Sequence, residues 1–195
     1  MESIIVLGAD RVGKTTAIHS SRKILEAHSL SVTVCHFGGI SPKHHGPMEQ
    51  FVDVLTGIDT MVDFLLIDRF APDTLFYEPY RYQMPPVPYY TAQEPESMLL
   101  EMSAEVKMVI VEYRWDGVIE LRHTEEILKL YPGCTEYWLK QQVEKRRKEH
   151  KKYYEFIDEY VNKYTLIKRN NIYRLPGHLC LNSIDLEMAP GLKLC

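Results

Sequence analysis

Gly8, Gly13, Lys14 and Thr15 stand in the stretch VLGADRVGKTTAIHS with the spacing G-x-x-x-x-G-K-[ST], the spacing a chain needs to wrap a phosphate. Two glycines let the backbone turn tightly, so that the loop from Gly8 through Val12, Gly13, Lys14, Thr15 and Thr16 aims its N–H groups at β-phosphate oxygens. The helix expected to follow adds the partial positive charge of its N-terminus. Lys14 would bridge β and γ oxygens, and the Thr15 hydroxyl would face Mg2+. The expected cofactors are therefore ATP and Mg2+. A second carboxylate comes from DFLLIDRF, where Asp68 follows the apolar run Phe64 to Ile67 and should lie at the carboxyl end of a neighbouring parallel strand, the edge at which open α/β sheets bind ligands. Asp68 can hold a magnesium-bound water or polarise the attacking oxygen, and Arg69 can point to the acceptor side. Lys14, Arg11 and Asp68 are the catalytic candidates, and Thr15 and Asp68 the metal candidates.

A phosphate loop fixes the donor and leaves the acceptor open. A GTPase would need a base-reading N-K-x-D, which the sequence lacks, and a chain of 195 residues is short for a motor ATPase. A small kinase fits best. GADRVGKTT, with an Asp-Arg pair before the glycine-lysine step, and DRFAPDTLFYEPYR, with a tyrosine and an arginine about a dozen residues on, resemble the thymidylate kinases and their short viral relatives among the deoxynucleoside and deoxynucleotide kinases. The resemblance covers the first 81 residues and is looser beyond. It implies that Asp10 faces the acceptor sugar and Arg11 the transferring phosphoryl group. Arg69 and Arg81 would then hold an acceptor monophosphate, while Phe70, Tyr77 or Tyr80 stack on its base. In such kinases the catalytic arginine comes from the loop or from a lid, here represented by Arg114, Arg122 and Arg146, and Arg11 points to the loop. Where the family carries an aromatic-proline-arginine segment this chain has HFGGISPKHHGP, in which Lys43, His44 and His45 are the substitutes. No zinc site is expected there, because no Cys or carboxylate stands at ligand spacing.

The expected activity is transfer of the ATP γ-phosphoryl group to a deoxynucleoside monophosphate, a pyrimidine of the dTMP type. Two other readings stand beside it. One keeps the chemistry and changes the acceptor to a deoxynucleoside or a modified base in DNA, with the basic run Lys145–Lys152 as a strand-binding face. The other is a nucleotide-binding regulatory protein without turnover. The resemblance also carries the expectation of a homodimer and of a cytoplasmic setting, the host cytoplasm for a viral protein.

These residues need a scaffold that brings separate strand ends together. With 195 residues, 45% of them hydrophobic, the chain can bury one sizeable core, so a single domain over 1–195 is expected. A net charge of -4 gives no global attraction to nucleic acid or an anionic membrane. Scattered Cys35, Cys134, Cys180 and Cys195 read as free thiols. Apolar runs fall short of the ~20 residues that span a bilayer, and Glu2 and Asp10 argue against a secretory signal.

Short β-branched runs alternate with segments of helical period, the pattern of βαβ units. The expected fold is a three-layer α/β P-loop kinase fold with a central five-stranded parallel sheet flanked by helices. Its strands are placed at Ser3–Leu7, Ser31–Phe37, Val62–Ile67 and Lys107–Tyr113, and its first helix from Lys14 to about His28. For the fifth strand Ile172–Leu175 and Leu179–Asn182 both qualify, and the later one is favoured. Residues 68–91, rich in aromatics and with prolines at 85, 86 and 88, read as an irregular acceptor loop. A lid and a long helix occupy about 114–164. In that helix Leu139, Val143, Arg146, His150, Tyr153, Ile157, Tyr160 and Tyr164 share one stripe, in which Arg146 calls for an anionic partner. Lys145, Lys148, Lys151 and Lys152 belong to a solvated face.

Overall fold

In the computed structural model the described residues are 1–37, 48–81 and 88–176, with the backbone alone for 78–81 and 176. Five parallel strands form one sheet in the order β2-β3-β1-β4-β5: β1 is Glu2–Leu7, β2 Val32–His36, β3 Phe64–Asp68, β4 Glu105–Glu112 and β5 Ile172–Pro176. The central strands β3, β1 and β4 are almost wholly buried, which is why they read as unbroken apolar runs rather than alternating ones. Six helices of the described residues flank the sheet: α1 Lys14–Ala27, α2 Glu49–Thr56, α3 Ala71–Arg81, α4 Gln93–Met102, α5 Gly117–Leu130 and α6 Glu136–Lys163. The protein is a three-layer α/β fold of the P-loop kinase kind, as the sequence implies. Among the described residues no helix is long and apolar enough to cross a membrane.

Register decides what meets at the sheet edge. Val6 pairs with Asp68 and with Val109, and His36 pairs with Asp68. The turn after β1 therefore lies beside the ends of β3 and β2. Arg69 N–H continues the ladder by donating to the Val6 carbonyl at 3.2 Å, which fixes the two turns against each other. The strand order reverses at β1, with β3 on one side of it and β4 on the other, and at such a reversal an open parallel sheet leaves a crevice beyond its strand ends.

Two expectations are corrected. The fifth strand is the earlier candidate, at Ile172–Pro176, paired with β4 from Met108↔Ile172 to Glu112↔Pro176. The favoured Leu179–Asn182 lies outside the described residues. The start of the acceptor segment is helical, over Ala71–Arg81. Pro72 sits in its first turn, where a missing N–H breaks no intrahelical bond, and Asp73 adds a carboxylate at the positive end of the helix. Prolines 85 and 86 lie outside the described residues.

The core runs along both faces of the sheet. Phe37, Phe51 and Phe70 form one aromatic knot, with ring centroids 4.4 Å and 5.3 Å apart for Phe37–Phe51 and Phe51–Phe70. On α6 the residues His150, Tyr153, Ile157 and Tyr160 are buried, which is the lower half of the expected stripe. The helix starts cleanly because Thr135 Oγ1 accepts from Trp138 N–H, and α5 because the Asp116 carboxylate accepts from Val118 and Ile119 N–H.

Candidate active site

The loop between β1 and α1 has the backbone its sequence demands. Gly13 takes φ 97° and Arg11 φ 67°, left-handed conformations that are easy for glycine and strained for arginine. Gly8 is required for a different reason. A Cβ there would stand 2.9 Å from the Val111 carbonyl oxygen and 2.9 Å from Val12 Cγ2, so the loop could not lie against β4. Nothing caps the start of α1 with a side chain, and no acidic residue sits in its first turn, which leaves the helix N-terminus in keeping with an anion. Lys14 is buried and donates from Nζ to the carbonyls of Gly8 at 2.5 Å and Ala9 at 2.8 Å. Burial pushes its pKa down, opposed by the nearby Asp73 carboxylate. Thr15 and Thr16 are exposed on the outer side of the same turn.

The two metal candidates lie in contact: Thr15 Oγ1 donates to Asp68 Oδ2 at 2.5 Å. His36 Nδ1 lies 2.9 Å from the same oxygen. Asp68 is buried, and its Oδ1 has no hydrogen-bond partner among the described residues. A hydroxyl and a carboxylate side by side, with unused acceptor capacity, fit the oxygen-ligand chemistry of Mg2+.

Just beyond β3, Arg69, at φ 69°, donates from Nη2 to Asp10 Oδ1 at 2.6 Å. Its guanidinium carbon lies 5.6 Å from the Tyr77 ring centroid. Burial works against the Arg69 charge, but Asp10 and Asp73 hold it and set its pKa above the usual arginine value. Tyr77 is buried against Tyr153 and its hydroxyl accepts from Asp10 N–H at 3.2 Å. The ring thus organises the Asp10–Arg69 pair. Phe70, expected to stack on a base, is instead fully enclosed in the aromatic knot with Phe37 and Phe51, so it packs the core. The side chains of Tyr80 and Arg81 lie outside the described residues, as do Lys43, His44 and His45.

The lid candidates separate. Arg11 pairs with Glu126 on α5, its Nε donating to Oε2 at 2.9 Å and its Nη2 meeting Oε1. Arg122, one turn earlier on α5, donates to the Arg11 carbonyl at 2.9 Å. Both therefore touch the loop. Arg114 lines a groove of about 900 Å3 between the end of β4 and α6, together with Trp115, Arg147, Lys148 and Lys151. Arg146 finds its anionic partner on its own helix, Glu149 at 3.3 Å.

Sequence reasoning missed four residues. Tyr153 reaches from α6 to the loop, where its hydroxyl accepts from Gly8 N–H at 2.9 Å and donates to Asp73 Oδ1. Asp73 is buried, its other oxygen Oδ2 has no partner among the described residues, and burial raises its pKa against the pull of Lys14. Glu126 and His36 complete the set. Tyr153 was visible only as one apolar position of a stripe, and Asp73 only as a residue five beyond Asp68. Among the described residues no three His, Cys, Asp or Glu side chains cluster to hold a metal by themselves, so a cation here would take its remaining ligands from phosphate and water. No family model matches the sequence, and no curated protein matches it either.

Proposed function

We propose that this protein is an ATP-dependent kinase that transfers the γ-phosphoryl group to a pyrimidine deoxynucleoside monophosphate of the dTMP type. The observation that carries the reading is the juxtaposition of two carboxylate pairs at one sheet edge, Thr15–Asp68 at 2.5 Å and Arg69–Asp10 at 2.6 Å, with the loop lysine beside them. Phosphoryl transfer asks for little covalent chemistry from a protein. It asks for cations around two anionic groups held in line. In this reading the loop N–H groups and Lys14 bind the donor phosphates, and Thr15 and Asp68 hold Mg2+, which neutralises charge on the β and γ oxygens when bound. Arg69 receives the acceptor phosphate, since guanidinium binds phosphate in a bidentate fashion. Asp10 faces the acceptor sugar or its hydroxyl, while the acceptor phosphate oxygen is the attacking atom, and Arg11 supplies the cation at the transferring group.

The test is a coupled phosphotransfer assay with ATP and Mg2+ against dTMP, dUMP, dCMP, thymidine and a short single-stranded DNA. A mononucleotide is expected to be turned over, and Lys14→Ala to abolish turnover. Arg69→Ala is expected to raise KM for the mononucleotide by at least about tenfold, roughly 1.4 kcal/mol of lost phosphate contact, with ATP affinity nearly unchanged. Phosphorylation of thymidine or DNA but of no mononucleotide overturns the acceptor. ATP binding with no turnover of any acceptor overturns the kinase.

A further inference from the structure

We propose that His36 is a third protein ligand of the divalent cation at Thr15 and Asp68, and that the site therefore takes transition-metal cations of the Mn2+ to Ni2+ series more tightly than Mg2+. The inference rests on the reading of Thr15 and Asp68 as the cation site and adds to it a residue that the loop motif does not contain.

Two side chains meet at the Asp68 carboxylate. The Asp68 Oδ2 atom has Thr15 Oγ1 at 2.5 Å and His36 Nδ1 at 2.9 Å. Ligands that share an edge of an octahedron with bonds of about 2.1 Å stand about 3.0 Å apart; the His36–Asp68 contact already has that length, and Thr15 and Asp68, now hydrogen-bonded to each other, need to part by about 0.5 Å to share an ion. The sheet brings them there: His36 is the last residue of β2, in register with Asp68, the last residue of β3. The imidazole side chain is 54% exposed while Asp68 is 2% exposed, so the ring can adjust its angle without repacking the core.

A buried carboxylate whose Oδ1 has no partner among the described residues carries lone pairs and charge that its two neighbours do not use up, and a neutral His36 that keeps its proton on Nε2 offers the Nδ1 lone pair to the ion. A cation uses them. With hydroxyl, carboxylate and imidazole on one side, the remaining positions stay open for phosphate oxygens and water, as a catalytic metal site needs. The imidazole nitrogen decides which ion. Mg2+ prefers oxygen donors and keeps its waters, whereas affinity for a nitrogen-containing site rises from Mn2+ through Co2+ to Ni2+.

The experiment titrates the nucleotide-free protein with Co2+ and, separately, with Mg2+, by calorimetry and, for Co2+, by its visible absorption. Wild type, His36→Ala and Asp68→Asn are compared, with circular dichroism confirming that each variant is folded. His36→Ala should weaken Co2+ binding by about tenfold or more and alter the cobalt spectrum, while Mg2+ affinity changes by less than about threefold. Asp68→Asn should remove the same cobalt-binding step, which separates it from other surface histidines. Equal Co2+ affinity in wild type and His36→Ala overturns the proposal. So does a loss of Co2+ and Mg2+ affinity in equal proportion, which makes His36 a hydrogen-bonding support of Asp68 rather than a ligand. Absence of phosphotransfer with either metal would refute the kinase reading, whereas the cobalt titration decides the ligand role of His36 independently of turnover.

Discussion

Replacing Tyr153 by Phe tests whether α6 holds the phosphate loop in place. The substitution removes one oxygen and keeps the ring, so the stacking on Tyr77 and the edge contact with Phe76 survive. Two buried groups lose their partner at once: the Gly8 N–H, bonded to the tyrosine hydroxyl at 2.9 Å, and Asp73 Oδ1. Asp73 cannot recover through its other oxygen, which already has no partner among the described residues. Each orphaned buried group costs ~1–3 kcal/mol, with a carboxylate toward the upper end, so about 3–4 kcal/mol of folding stability should disappear. For a chain of this size that is a fall in Tm of roughly 6–15 °C. Urea denaturation followed by circular dichroism measures it, and adding Asp73→Asn to Tyr153→Phe should bring back part of the loss, because an amide is cheaper to bury unpaired than a carboxylate. ATP affinity should fall as well, since Gly8 is the first residue of the phosphate loop. A Tyr153→Phe protein within about 0.5 kcal/mol of wild type would refute the reasoning, for surface-like substitutions fall in that range.

Two further outcomes follow from the same geometry. Gly8→Ala should abolish ATP binding and lower Tm, since the added methyl meets backbone of β4 at 2.9 Å that cannot step aside; wild-type nucleotide affinity in that variant is the adverse result. Burial, with Arg146 nearby, drops the His123 pKa to about 4 from 6.5. The unfolded chain then binds more protons than the folded one between those values, so stability is full above pH 6.5 and falls as pH drops toward 4, by roughly 3 kcal/mol. His123→Gln should flatten that slope in chemical denaturation at pH 7, 5.5 and 4.5, and an unchanged slope counts against the assignment.

Much of this architecture was legible because the signals were local. Strands β1, β3 and β4 are continuous apolar runs that end in Gly8, Asp68 and the residues before Arg114, and such runs have no other place than a doubly covered sheet. Helix α1 follows from the loop spacing. The two errors came from composition read without position. The irregular reading of 68–91 rested on prolines 85, 86 and 88, which all follow the end of α3 at Arg81 and so do not bear on the helix over Ala71–Arg81. Residues 179–182 look as strand-like as 172–175, but only the pairing with β4 chooses between them. The partners of the site residues were beyond reach for a different reason: Gly8 and Tyr153 are 145 positions apart, Arg11 and Glu126 are 115, and no spacing rule links residues whose proximity depends on how two helices pack.

The two arginine pairs at the site differ in a way that bears on their roles. Arg11 and Glu126 have side chains 46% and 29% exposed, whereas Arg69 and Asp10 are 22% and 20% exposed. An exposed ion pair contributes about 0–1 kcal/mol, because water screens it and two long side chains must be held still. A phosphoryl oxygen can therefore displace Glu126 from Arg11 at little cost. Arg69 is held more firmly: Asp10 is fixed through its own N–H to Tyr77, the Tyr77 ring lies under the guanidinium, and leaving either charge unpaired in that setting is expensive. In the proposed chemistry Arg11 is consequently the cation that changes partner as the reaction proceeds, and Arg69 with Asp10 is the fixed platform against which the acceptor is placed. The left-handed backbone at both arginines, φ 67° and 69°, points the same way, since strain of that kind persists only where the surrounding structure over-determines it.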